Sequence, residues 1–139
     1  MTQNEILQLI KREVVPATGC TEPMCVALCV AHATEALGGQ PDSIQVSLSA
    51  NVLKNAMGVG IPGTGMIGLP IAIALGAIVG RSEYLLEVLK DTTPADVEQG
   101  RKMIDEQRNL VGAGKALGLF NREIFAKYLL FGMTGTIVG

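Results

Sequence analysis

The sequence predicts an α+β fold, helix-rich with few strands, in which a glycine-rich loop feeds a buried helix. Three observations predict it. Apolar residues recur at helical spacing in several segments that carry their own start and stop signals. Ser43–Leu48 alternates polar and apolar residues over the length of one strand. Residues 56–80 hold no charged side chain, with glycines crowding the first half and an apolar run over Leu69–Val79. A helix that is apolar all round is one buried on every side.

Each element has a local cause. Thr2 and Glu5 form a capping-box pattern ahead of a helix over 2–14, whose stripe is Ile6, Leu7, Ile10 and Val14; Pro16 stops it. Thr21 reads as the N-cap of a second helix reaching Leu37, with Glu22 at the positive end of the helix dipole, Pro23 in the first turn and Gly38-Gly39 as the stop. Gln40-Pro41-Asp42 is a turn into the strand, which leads into Ser49–Asn55 and the glycine loop. Ser82–Leu89 reads as an amphipathic helix. Thr93-Pro94-Ala95-Asp96 opens another, lasting to about Gln107. Asn109-Leu110-Val111 is a candidate short strand, 112–118 is Gly/Ala-rich, and Arg122–Phe131 has a helical pattern. The small and apolar ending, up to Gly139, looks like the interior of a larger protein, so 1–139 is read as one domain forming a portion of a longer chain.

Composition narrows the partners. The 139 residues carry a net charge of −2 and no basic cluster, which argues against nucleic acid and anionic membrane. The uncharged stretch is interrupted by Pro62, Pro70 and glycines, and its sustained helix is too short to span a bilayer. The first residues lack the apolar core of a signal peptide, and three cysteines close together are not a disulfide framework; both point to a reducing, cytoplasmic setting. With 48% hydrophobic residues, so short a chain is expected to associate, as a homo-oligomer or with a C-terminal portion that it lacks.

The chemistry-bearing residues fall in three places. Cys20 sits in the turn Pro16-Ala17-Thr18-Gly19-Cys20-Thr21-Glu22-Pro23, beside the free N–H groups of a helix start; such groups favour the thiolate, the form that binds metal or attacks substrate. The other reading of Cys20 is a buried filler. Cys25 and Cys29 lie among apolar residues of the helix and read as small buried hydrophobes. The spacing C-x4-C-x3-C matches neither zinc pairs nor common cluster patterns. A zinc or redox thiol site would use Cys20 with Cys25 or His32; the other reading of His32 is an ordinary helical histidine.

The loop Gly58–Gly68 contains G-x-G-x-x-G twice, without the strand immediately before it that a dinucleotide fingerprint requires. Its glycines allow close backbone approach, so its N–H groups are an anion cradle or, alternatively, a tight packing turn. Asn51, Lys54 and Asn55 precede it. Lys54 is the lone charge between Asp42 and Arg81: a base or a carboxylate binder, or a lysine reaching solvent.

Taken together, Pro-Ala-Thr-Gly-Cys20-Thr-Glu-Pro, Ser49-Ala-Asn51-Val-Leu-Lys54-Asn55 and Val59-Gly-Ile-Pro-Gly63-Thr64-Gly65 resemble the N-terminal part of the iron–sulfur L-cysteine desulfidase family, also described as serine dehydratase alpha-chain-like, over roughly residues 5–110. The resemblance implies a [4Fe–4S] cluster held by three cysteines, its fourth iron site open to the substrate, and a β-elimination of L-cysteine or L-serine. It implies that Cys20 is the first cluster ligand. Lys54 is the candidate base, and Thr21, Glu22, Asn51, Asn55, Gly63, Thr64 and Gly65 are the candidate groups for the amino-acid substrate. Members of that family are longer, with their other two cluster cysteines in the C-terminal part, and no cysteine follows Cys29 here. The remaining ligands are therefore expected from outside this chain. The rival expectation is a catalytically inactive remnant that binds a small anion or a partner.

Overall fold

The structure, a computed structural model, describes residues 1–113. Along the chain run α1 (Gln3–Glu13), α2 (Thr21–Leu37), β1 (Ile44–Leu48), α3 (Ala50–Met57), β2 (Gly60–Ile61), β3 (Met66–Ile67), α4 (Leu69–Ile78), a 3₁₀ stretch over Ser82–Glu87, α5 (Pro94–Asp105) and β4 (Asn109–Ala113). This is the helix-rich α+β fold the sequence predicts. The expected helix over 122–131 lies outside the described residues.

The apolar run forms α4 and sits at the centre. Leu69 and Ile71 to Ala77 are all buried. α2 crosses it at Gly76, where a Cβ would fall 2.6 Å from the Ala27 carbonyl oxygen, so the two backbones meet with no room for a side chain. α5 seats on another side, with Gly100 against Ile71. Two apolar clusters flank the helix. One joins Met24, Leu28, Ile71, Leu75 and Val88; the other joins Val26, Val30, Val46, Leu48, Val52 and Ile73. At ten residues, α4 is about 15 Å long, half a bilayer core. Among the described residues, no helix is long and apolar enough to cross a membrane.

β1 pairs in parallel with β4, Val46 opposite Val111, and the pair is pinned at its entrance. Arg108 donates to the carbonyls of Asp42 and Pro41, both at 2.8 Å, and Asn109 Nδ2 donates to the Pro70 carbonyl at 2.7 Å. β4 continues through Gly112 and Ala113, beyond the expected three residues, because its partner β1 is five residues long.

Three local expectations are corrected, and one helix is new. The stretch from Ser49, given no element from the sequence, opens α3 (Ala50–Met57): Ser49 Oγ accepts the Val52 N–H and caps it, a start signal that the preceding strand pattern hides. Ser82–Leu89 is not a regular amphipathic helix. It breaks at Leu85 (φ 51°, ψ −123°), and the break turns Leu86, Val88 and Leu89 into the core. The glycine loop is a small antiparallel hairpin, β2 with β3. The capping box of α1 forms as expected, but among the described residues its stripe joins neither apolar cluster, and no residue of α1 is buried.

Candidate functional site

Cys20 itself occupies the N-cap position of α2, one residue earlier than expected, and its side chain makes no capping bond. Gly19 makes the turn with φ +82°, a conformation that glycine adopts freely. The thiol is exposed. It donates to Glu22 Oε2 at 3.0 Å, and the Thr21 hydroxyl donates to the same oxygen at 3.3 Å.

That arrangement reverses the expected ionisation. The hydrogen bond to Glu22 pushes the Cys20 thiol above its ordinary value, with slight burial and the Glu22 charge adding to it. The N–H groups of Thr21 and Glu22 pull the other way, as the helix-start reading predicts, but the carboxylate outweighs them. Cys20 is thus a reachable thiol rather than a resting thiolate. Glu22 is the ionised member: bonds from the Cys20 thiol, from backbone N–H, and from Thr21 and Asn55 hold its carboxyl below the usual range against the cost of partial burial.

The three distant segments meet here. Asn55, on α3, lies close enough to Glu22 to help lower its carboxyl, the smallest of the contributions. Pro62 packs on the Gly19 turn so tightly that a Cβ on Gly19 would lie 2.8 Å from Pro62 Cγ. Glycine at 19 therefore serves two demands, positive φ and contact with the hairpin. Pro62 is a member of the site that sequence reasoning did not single out; the Pro62-Gly63 pair, a turn-centre pattern, was the available signal.

The hairpin tip is a turn over Ile61-Pro62-Gly63-Thr64, closed by Thr64 N–H to the Ile61 carbonyl at 3.2 Å, with Gly63 at φ +77°. Proline then glycine with positive φ at the central positions is the type II pattern. Thr64 is buried and spent internally: its hydroxyl donates to the Ile61 carbonyl (2.7 Å) and accepts the Met66 N–H (3.0 Å). It braces the hairpin rather than presenting a free hydroxyl. Gly63 and Gly65 are exposed, with open space where a Cβ would stand. The expected anion cradle at the helix start is closed, since Leu69 and Ile71 are fully buried and Pro70 has no N–H. Accessible backbone lies at the hairpin tip instead.

Asn51, Lys54 and Asn55 are exposed on one face of α3, opposite buried Val52 and Ala56. Lys54 thus stands in solvent on the exposed face of α3, without the apolar enclosure its sequence neighbours suggested. Cys25 and Cys29 are partly buried on α2, where burial raises both thiols, Cys29 to about 12. His32 stands about 16 Å along α2 from Thr21, its Nδ1 3.9 Å from Glu35, which separates it from Cys20.

Cys20 has the chemistry of a soft-metal ligand: an exposed sulfur that gives up its proton when a metal takes it. It fits as one ligand. Among the described residues, no three His, Cys, Asp or Glu side chains form a metal-holding group. A cluster at Cys20 would draw its other ligands from elsewhere.

The chain is similar to UPF0597 proteins: 69% identical over 111 residues to one of Bacteroides fragilis, 68% over 110 residues to one of Phocaeicola vulgatus, and 49% over 124 residues to one of Photobacterium profundum. The matches cover 78%, 79% and 89% of this chain but 26%, 26% and 28% of those relatives. The chain thus spans about a quarter of the length of the curated relatives it matches. No family model matches it, and no solved structure does.

Proposed function

We propose that this chain carries one cysteine ligand of a [4Fe–4S] cluster, with amino-acid recognition groups beside it, in a cytoplasmic lyase that eliminates the β-substituent of L-cysteine or L-serine. The observation that supports the reading is the meeting of the three resemblance-bearing segments around Glu22, through the Cys20 thiol, Asn55 and the Gly19–Pro62 contact. The cluster, when bound, supplies a Lewis-acidic iron for the substrate's sulfur or oxygen.

The chain's own residues have separable tasks. Cys20 loses its proton on ligation, which frees Glu22 Oε2 from the thiol. Glu22, ionised and half-buried, is the anion matched to the substrate ammonium, and Asn55 holds it in place. The exposed backbone at Gly63 and Gly65 suits the substrate carboxylate. Lys54, next to Asn55 on the open face of α3, is the base for the α-proton. As that proton leaves, its electron pair forms the Cα–Cβ double bond and the Cβ–S bond breaks, releasing sulfide. Water then hydrolyses the aminoacrylate to pyruvate and ammonia.

The test is anaerobic treatment of the intact Bacteroides fragilis relative with iron and sulfide. Cluster absorption, with equal yields of sulfide and pyruvate from L-cysteine, is the expected result. A colourless protein that leaves cysteine and serine untouched ends the proposal.

A further inference from the structure

We infer that the apolar face of α1 is a docking surface for polypeptide of the kind that makes up the other three quarters of the relatives' length. Ile6, Leu7 and Ile10 fall on one side of α1, with Val14 just past its end, and are 41%, 45%, 48% and 68% exposed in that order. The helix is fully specified locally, with both bonds of the capping box, an acidic first turn, and Lys11 and Arg12 in the last. Yet eleven residues are too few to hold a helix in water without packing, for which about 12–15 are marginal even in favourable sequences. The stripe is thus half of a contact.

Two observations choose the occupant. The strip is about 16 Å long and one helix, about 10 Å, wide. That is far below the ~800 Å² per partner of a stable free-standing interface, so a second copy held by this face alone would not persist. A covalently continuous segment needs no such area, because its local concentration is high. The relatives supply the candidate, since about three quarters of their length lies outside the match. Among the described residues, the parallel pair β1–β4 has two strands and an outer edge on each, and is incomplete in the same sense, as parallel sheets are ordinarily covered and extended. This inference does not depend on the lyase reading.

Hydrogen exchange tests it on two proteins: the 139-residue chain, and the intact Bacteroides fragilis relative over the stretch equivalent to residues 3–13. At equal dilute concentration, exchange is expected to be at least tenfold slower in the relative, while α4 is protected in both. In the relative, aspartate at the position equivalent to Ile10 should restore fast exchange in that stretch and leave α4 protected. Equal exchange of the stretch in the two proteins overturns the inference. So does protection in the 139-residue chain that rises with concentration and tracks a dimer mass in sedimentation, which would make a second copy the occupant.

Discussion

At Cys20 the balance between two opposing effects decides the chemistry. Backbone N–H groups at the start of α2 favour a thiolate, while the Glu22 carboxylate 3.0 Å away favours the thiol and wins. The expected consequence of Glu22→Gln is a thiol that ionises at lower pH, so iodoacetamide should alkylate Cys20 several-fold faster at pH 8, read by mass spectrometry of its peptide. An unchanged rate would mean that the carboxylate does not govern the thiol. Cys25 and Cys29, raised mainly by burial, should react more slowly than Cys20 in the parent. Gly19→Ala brings both a positive φ and a 2.8 Å clash with Pro62, and should cost about 1–3 kcal/mol in urea unfolding. Cys20 and the glycine loop were legible in the sequence because turn residues at fixed spacing declare themselves locally. The protonation state was not, because it depends on which rotamer Glu22 adopts and on Asn55 arriving from α3.

Among the elements, those with a complete local signature were predicted well. Helix α5 starts where Thr93-Pro94-Ala95-Asp96 says it should, and both bonds of its capping box form. The Asp96 carboxyl is held below its usual value by the Thr93 hydroxyl first and its N–H second. A lowered folded value stabilises the protein above the unfolded value of about 3.9 and loses that contribution as pH falls through the folded one. Thr93→Ala should therefore cost about 1 kcal/mol near neutrality, with the gap from the parent narrowing below about pH 4 in parallel urea titrations. Helix α4 was legible because a run with no polar face has one destination. Its closest crossing was not: nothing in the sequence says that Gly76 meets Ala27. Gly76→Ala should separate α2 from α4 and cost about 1–3 kcal/mol, visible as a lowered urea midpoint. The Ser82–Leu89 expectation failed because its apolar spacing also suits a broken 3₁₀ stretch, and packing of Leu86, Val88 and Leu89 chose that. α3 was missed because its eight residues follow a strand without punctuation other than Ser49.

For the whole molecule, α4 organises a core that brings the Cys20 turn, the exposed face of α3 and the hairpin tip to one place, and leaves α1 outside it. In the proposed lyase, Cys20, and neither Cys25 nor Cys29, is this region's contribution to the iron–sulfur centre. The direct measurement is the iron content and sulfide release of the anaerobically reconstituted intact relative, with serine placed in turn at the positions equivalent to 20, 25 and 29. Replacement of Cys20 alone is expected to abolish both, while the other two retain most of each. Equal losses from all three, or none from Cys20, would contradict it.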